Sequence, residues 1–332
     1  MKNTIRTLVE CYGPSGRESE VTKTIAEMIR DFVDELSIDS LGSLIAVKKG
    51  SNSGKKIMFA AHADEIGIVI THMDDHGFLR FFNVGGLNPL TLPGQRVRFA
   101  NGTIGIIGRE KGNPKEVTWD KLYVDIGAVD KKTAESRVSI GDFAIIHREF
   151  VDLGQRYAAK SMDDRIGCAI LIEAAKRLKA TEHHIYFVFT SQEEVGIRGA
   201  RTSAYQIDPD LGIALDVTLT GDTPEAPRME VKLGGGAAIK VRDSSMITHP
   251  QVKALMTRIA VENKIPYQFE VLEFGGTDAG AIHLSRSGVP SGTISIPCRY
   301  VHSASEMVDI GDVEACVALT TAIAQDDLRE IR

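Results

Sequence analysis

Aromatic residues are scarce in this 332-residue chain, at 6% of positions with a single tryptophan. Glycan-cleaving clefts usually pair aromatic platforms with two opposed carboxylates, so glycoside chemistry fits poorly. The four cysteines, Cys11, Cys168, Cys298 and Cys316, are scattered and form no CxxC pair. That spacing argues against both a disulfide framework and a thiolate zinc site. No run approaches the ~18 uninterrupted apolar residues of a membrane span. The first twenty residues lack the apolar core of a secretory signal, so a cytoplasmic setting is expected. Basic charge is not in excess either: 39 Lys and Arg face 45 Asp and Glu, for a net charge of −6. General nucleic-acid binding, which rests on basic patches, is therefore not expected.

What remains is ordinary globular material, 43% hydrophobic and 25% charged. At ~150 residues per domain, the length suggests about two domains. Ser15 and Glu18 fit a capping box, and Val21, Ile25, Met28, Ile29, Phe32 and Val33 follow at helical spacing, which predicts a helix over 16–35. Short strands are expected at 43–47 and 56–61, the second apolar enough to be buried on both faces. From about 66 to 150, short β-rich runs are broken by Gly, Asn, Pro and Asp, as in a small barrel or sandwich. An alternating pattern then resumes, with helices expected at 164–179, 250–263, 278–287 and 311–328. Strands are expected at 184–190, 211–217, 267–272 and 292–296. Such alternation implies an α/β sheet. The chain thus reads as an α/β domain, 1–65 and 157–332, interrupted by an all-β insert at 66–156.

Metal-type side chains gather where predicted strands end, the place where open α/β sheets bind ligands. His62 and Asp64 follow KIMFAA, and Asp163-Asp164 open a helix. Glu193-Glu194 follow HIYFVFTSQ, Asp216 ends LGIALD, and His302 comes shortly after GTISIP. Each has an ordinary explanation when taken singly. Asp163-Asp164 could be a helix cap and first-turn acid, Glu193-Glu194 a solvated loop, and Asp216 a turn former. The repetition is what points to chemistry, because four apolar strands each run into an acid or a histidine. Carboxylates with imidazole and no thiolate suit zinc, cobalt or manganese. Other polar clusters carry less. Gly234-Gly235-Gly236 does not open a helix after a strand and reads as a turn. His183 and His184 precede a strand and read as surface.

The motifs HADEIG (62–67), KSMDDRIGC (160–168), SQEEVGIRGA (191–200), ALDVT (214–218), GGTDAGAIH (275–283) and IPCRYVHSASE (296–306) resemble those of the glutamyl aminopeptidase, or tetrahedral (TET) aminopeptidase, family. The resemblance spans nearly the whole chain, with six motifs in order. It implies a mixed-sheet zinc-peptidase-like catalytic domain, a barrel-like insert that dimerises, and homo-oligomers in which dimers build a dodecamer. It also implies two divalent cations per subunit, Zn2+ or Co2+ first and Mn2+ as a further fit, acting on peptide substrates. Residue by residue, Asp163 would bridge both cations. His62 and Asp216 would complete one site, and Glu194 and His302 the other. Glu193 would be the general base and acid, and Asp64 would orient His62. Asp164 would only support, and Thr277 and Asp278 would stand on the substrate side. A metal-dependent deacylase or carboxypeptidase would use similar ligands. A metal-binding scaffold would not need Glu193.

Overall fold

A computed structural model describes residues 1–51, 53–113 and 117–331. Two bodies of secondary structure emerge, each with its own core: a large mixed sheet and a closed barrel. The α/β reading with a separate β insert is what forms.

Apolar, β-branched strands make the centre of the large sheet. Lys56–His62 lies between His184–Thr190 and Leu211–Thr218, parallel to both, and Ser291–Arg299 runs parallel on the far side of Leu211–Thr218. Leu211–Thr218 is buried along its whole length, the pattern of a strand covered on both faces. Leu44–Lys48 and then Glu35–Ile38 extend one edge antiparallel. Toward the other side, Glu306–Asp309, Arg156–Ala159 and Val151–Asp152 follow. Ala237–Arg242 pairs with Ser291–Arg299 and carries Tyr267–Val271 at its outer edge. Register sets His62 opposite Thr190 and Asp216 opposite Ser295, so the parallel strands finish at one level.

Helix Met162–Arg177 packs on the parallel strands and against helix Ile310–Gln325. Its first turn is irregular: Ser161 has φ 57°, and Asp163 and Asp164 depart from helical angles. Asp164 then acts as the cap, with Oδ1 accepting from Gly167 N at 3.1 Å. No helix among the described residues is long and apolar enough to cross a membrane.

The barrel closes in the order Gly67–Met73, Leu79–Val84, Leu122–Asp125, Ile104–Arg109, Arg96–Phe99, Phe143–Ile146. Alternate residues such as Ile68, Ile70, Leu79, Phe81, Val97 and Phe99 fill its interior. Val151–Asp152, expected within the insert, instead pairs with Arg156–Ala159 in the large sheet.

Several local expectations yield to tertiary contacts. The helix expected at 16–35 is Ser19–Ile29 followed by a 3-10 turn, Arg30–Phe32. The Ser15–Glu18 box does not form. Ser15 Oγ instead donates to Asp64 at 2.6 Å, and Glu18 accepts from Gly16 N and Gln192 N. The helix expected at 278–287 is confined to Ala279–Ile282, because the chain turns through Arg286, at φ 53°, and Gly288. His183 is buried rather than on the surface, bridging Lys55 N and the carbonyl of Asp326.

Candidate active site

Each proposed donor arrives from a different strand end or turn, and the fold brings them into one cleft of about 470 Å³. His62, Asp163 and Asp216 are buried, while Glu193, Glu194 and His302 are partly exposed along the same cleft. Asp163 is central. Its Oδ1 lies 2.9 Å from His62 Nε2, and its Oδ2 lies 3.2 Å from His302 Nε2. The two glutamates diverge at the start of a tight turn, where the Glu193 carbonyl accepts from Gly196 N and Ile197 N. Glu193 points to His62, at 4.0 Å from Nε2, and Glu194 lies 3.3 Å from His302 Nε2.

Two donor triads lie within 4.8 Å internally: His62, Asp164 and Asp216, and His62, Asp163 and Glu194. Both differ from the expected sets: the second holds His62 in place of His302, and the first holds Asp164 in place of Asp163. The Asp164 carboxylate is already engaged, accepting from His62 N at 3.2 Å and Gly167 N at 3.1 Å. Asp164 does not line the cleft, whereas His62, Asp163 and Asp216 do.

The electrostatics fit a divalent cation. Burial pushes the carboxyls of Asp216, Glu193 and Glu194 above their usual range, and neighbouring carboxylates push them further. Burial opposes the charge on His302, yet its bonds to Asp163 and Glu194 raise the imidazole to about 12. Oε1 of Glu194 is buried, and the His302 ring nitrogen 3.3 Å away is its ion-pair contact. So many carboxylates withdrawn from water call for concentrated positive charge, which two divalent ions would bring.

The supporting contacts explain why the donors stand where they do. Asp64 does more than steer His62, whose Nδ1 lies 3.2 Å from the Asp64 carbonyl and 3.5 Å from its carboxylate. That carboxylate also accepts from Glu193 N at 3.0 Å and Glu194 N at 3.2 Å, fixing the doubled-glutamate loop. Beneath the site, buried Glu65 accepts from Lys160 at 2.7 Å, Ser161 at 2.5 Å and Arg165 at 3.1 Å. This ties the segment after His62 to the turn carrying Asp163.

Other groups carry no chemical motif of their own. Glu306, 1% exposed, accepts from Asp163 N at 2.9 Å and from His302 N at 2.8 Å. It thereby holds His302 in a left-handed backbone, φ 61°, that a histidine adopts rarely. Gly86, in the loop after barrel strand Leu79–Val84, offers its carbonyl to His302 Nδ1 at 3.1 Å. A Cβ on Gly86 would stand 2.4 Å from that nitrogen. Glu306 ends a motif and could have been found there, whereas nothing in the sequence marks Gly86. Thr277 and Asp278 are buried behind the wall, bonded to Thr293 and Thr190. The cleft itself is lined by Gly275 and Gly276.

An interrupted α/β sheet gathers carboxylates and imidazoles at its strand ends, a donor set able to hold divalent cations of the kind hydrolases use. The profile of the M42 glutamyl aminopeptidase family matches residues 42–319. A protein of Acetivibrio thermocellus, provisionally named an aminopeptidase, is 50% identical over 96% of this chain and 97% of its own. A solved aminopeptidase of the archaeon Desulfurococcus kamchatkensis superposes with a TM-score of 0.95 at 39% identity, covering 99% of this chain and 97% of that one. The TET1 peptidase of Pyrococcus horikoshii, described as assembling into a tetrahedron or a large octahedral shell, superposes at 0.88 with 34% identity, covering 98% and 99%. The chain belongs to the M42 glutamyl aminopeptidase family and is a peptidase.

Proposed function

We propose that this peptidase removes N-terminal residues from peptides with two divalent cations, zinc or cobalt first and manganese as a further fit. The observation that carries this reading is Asp163, whose two oxygens face two imidazoles from separate segments. One carboxylate shared in this way would hold a pair of ions, as two-metal hydrolase sites need. His62 and Asp216 would hold one ion with Asp163, and Glu194 and His302 the other. When bound, such ions polarise a carbonyl and make a water acidic enough to attack at neutral pH. Glu193 takes the proton of the attacking water at its carboxylate and returns it to the leaving amine. Its place beside His62, off the Glu194–His302 pair, supports that division of labour. Asp64 keeps both glutamates and His62 in register.

The barrel insert, about 66–150, is proposed as the dimerising domain of a homo-oligomer, with a dodecamer favoured by the likeness to a TET1 peptidase solved as a dodecamer. Four free cysteines suit a reducing, cytoplasmic setting.

Metal analysis with a peptide digest followed by mass spectrometry tests the reading. Two ions per chain and stepwise loss from the N-terminus are expected. Asp163→Ala should release both ions and His302→Ala mainly one. An Asp163→Ala protein that keeps two tight ions would overturn the bridge. Light scattering that shows only monomer would overturn the assembly.

A further inference from the structure

The cleft is larger than the donors require. Beyond them, its wall is formed by Ile197, Val217, Leu219, Leu272 and Phe274. Phe274 is 55% exposed, so unpartnered apolar surface stands at the mouth of the cleft, beside the reacting centre.

A single lysine enters this wall, Lys240, 1% exposed. On its own, a buried ammonium here would mark a pocket for an acidic side chain, in keeping with the family's name. Its charge is already matched. Nζ donates to Glu270 Oε1 at 2.5 Å and lies 3.6 Å from Asp243 Oδ2, and both carboxylates are fully buried. Thr218 Oγ1 donates to the same Glu270 oxygen at 2.7 Å. One ammonium therefore faces two carboxylates, and an incoming acid would meet a neutralised cation with negative charge behind it. A basic side chain fares no better, since neither Glu270 nor Asp243 lines the cleft and the carboxylates that do line it belong to the proposed cation site. A charged side chain placed here would lose water without gaining a partner, which is costly, whereas an apolar one gains by burial.

We propose that this wall receives the side chain of the substrate's N-terminal residue and selects apolar residues of leucine or methionine size over glutamate and lysine. The proposal rests on the aminopeptidase reading and names its substrate class. Leu219, Leu272 and Phe274 are the specificity-determining residues.

The test compares kcat/KM on p-nitroanilides of Leu, Met, Phe, Ala, Glu and Lys, and on peptides differing only in residue one, using zinc- or cobalt-loaded protein. Leu or Met should exceed Glu and Lys by at least ~10-fold, the scale of discrimination by a hydrophobic pocket. Calorimetric titration with free leucine, glutamate and lysine gives a second readout, and leucine should bind most tightly. Leu272→Arg should lower turnover of the leucyl substrate and raise that of the glutamyl one. If that variant does not fold, Leu272→Gln should narrow the same ratio. N-terminal release that favours Glu or Lys, or is indifferent to residue one, overturns the pocket assignment and leaves the aminopeptidase reading standing. Hydrolysis of N-acyl amino acids with no N-terminal release overturns both.

Discussion

In the large sheet, strands Lys56–His62, His184–Thr190 and Leu211–Thr218 finish side by side, and each brings a side chain to the cleft at or just past its end. In the barrel, the loop after Leu79–Val84 reaches the same cleft and brings Gly85 and Gly86. The sheet thus supplies chemistry through side chains. The barrel supplies a carbonyl and the space that a missing Cβ leaves beside Glu194 and His302. One contribution is chemical and the other geometric, so they should fail differently when altered.

The largest expected effect sharpens the chemical side. Glu193→Gln keeps the side-chain size and removes the basic oxygen, so kcat should fall by ~10²–10⁴ while metal content stays near that of the parent. Glu194→Gln should instead weaken ion binding, with activity partly restored by added zinc or cobalt. Exchange of those two behaviours would reverse the assigned roles. Next comes the floor under the sheet's donors. Glu65→Ala leaves Lys160 and Arg165 buried without their carboxylate, and breaking such a cluster costs about 3–5 kcal/mol. A fall of that order in the unfolding free energy, measured by urea titration, is expected. No fall would mean that the cluster reorganises freely.

This contrast also governs how much could be read before the fold was known. A buried β run announces itself by composition, and the residue that ends it is fixed by covalent continuity, so His62, Glu193, Glu194 and Asp216 were legible as a set. Helix Arg198–Ile207 was not legible, because the face it buries is Gly199, Ala200, Ser203, Ala204 and Ile207, too small to give an apolar period. Ser15 and Glu18 misled for another reason. Their side chains suit a helix cap, yet Asp64 and Gln192, distant in sequence, take them. Gly86 carries no chemical signal, since its contribution is the absence of an atom.

The barrel's part can be broken on its own. Gly86→Ala removes no donor but sets a Cβ 2.4 Å from His302 Nδ1, so the imidazole must move. Changes that disturb the outer support of a ligand typically cost 10–100-fold in metal affinity, and a loss of about that size is expected for one ion of the pair. Competition with a chelator would measure it. Unchanged affinity for both ions would show that the loop follows the ring and that the barrel does not shape the site.

The smallest effect concerns Glu18, which joins the N-terminal segment to the doubled-glutamate loop through Gln192 N. Burial, with the charge of Asp64 adding, raises its carboxyl from 4.5 to about 6. A carboxyl raised on folding holds its proton more tightly in the folded chain. Its contribution to stability is therefore full below the unfolded value and is lost as pH rises through about 6. The loss between pH 4.5 and 6 should be about 1–2 kcal/mol, from ~1.4 kcal/mol per pKa unit. Glu18→Gln cannot ionise and should lack this slope, while its amide oxygen can still accept both backbone bonds, which fall on a single carboxylate oxygen. The difference in unfolding free energy between parent and variant, measured by urea titration across that window, should move in the variant's favour as pH rises. A difference that stays flat would place the Glu18 carboxyl in its ordinary range, and the segment would then be held by hydrogen bonds alone.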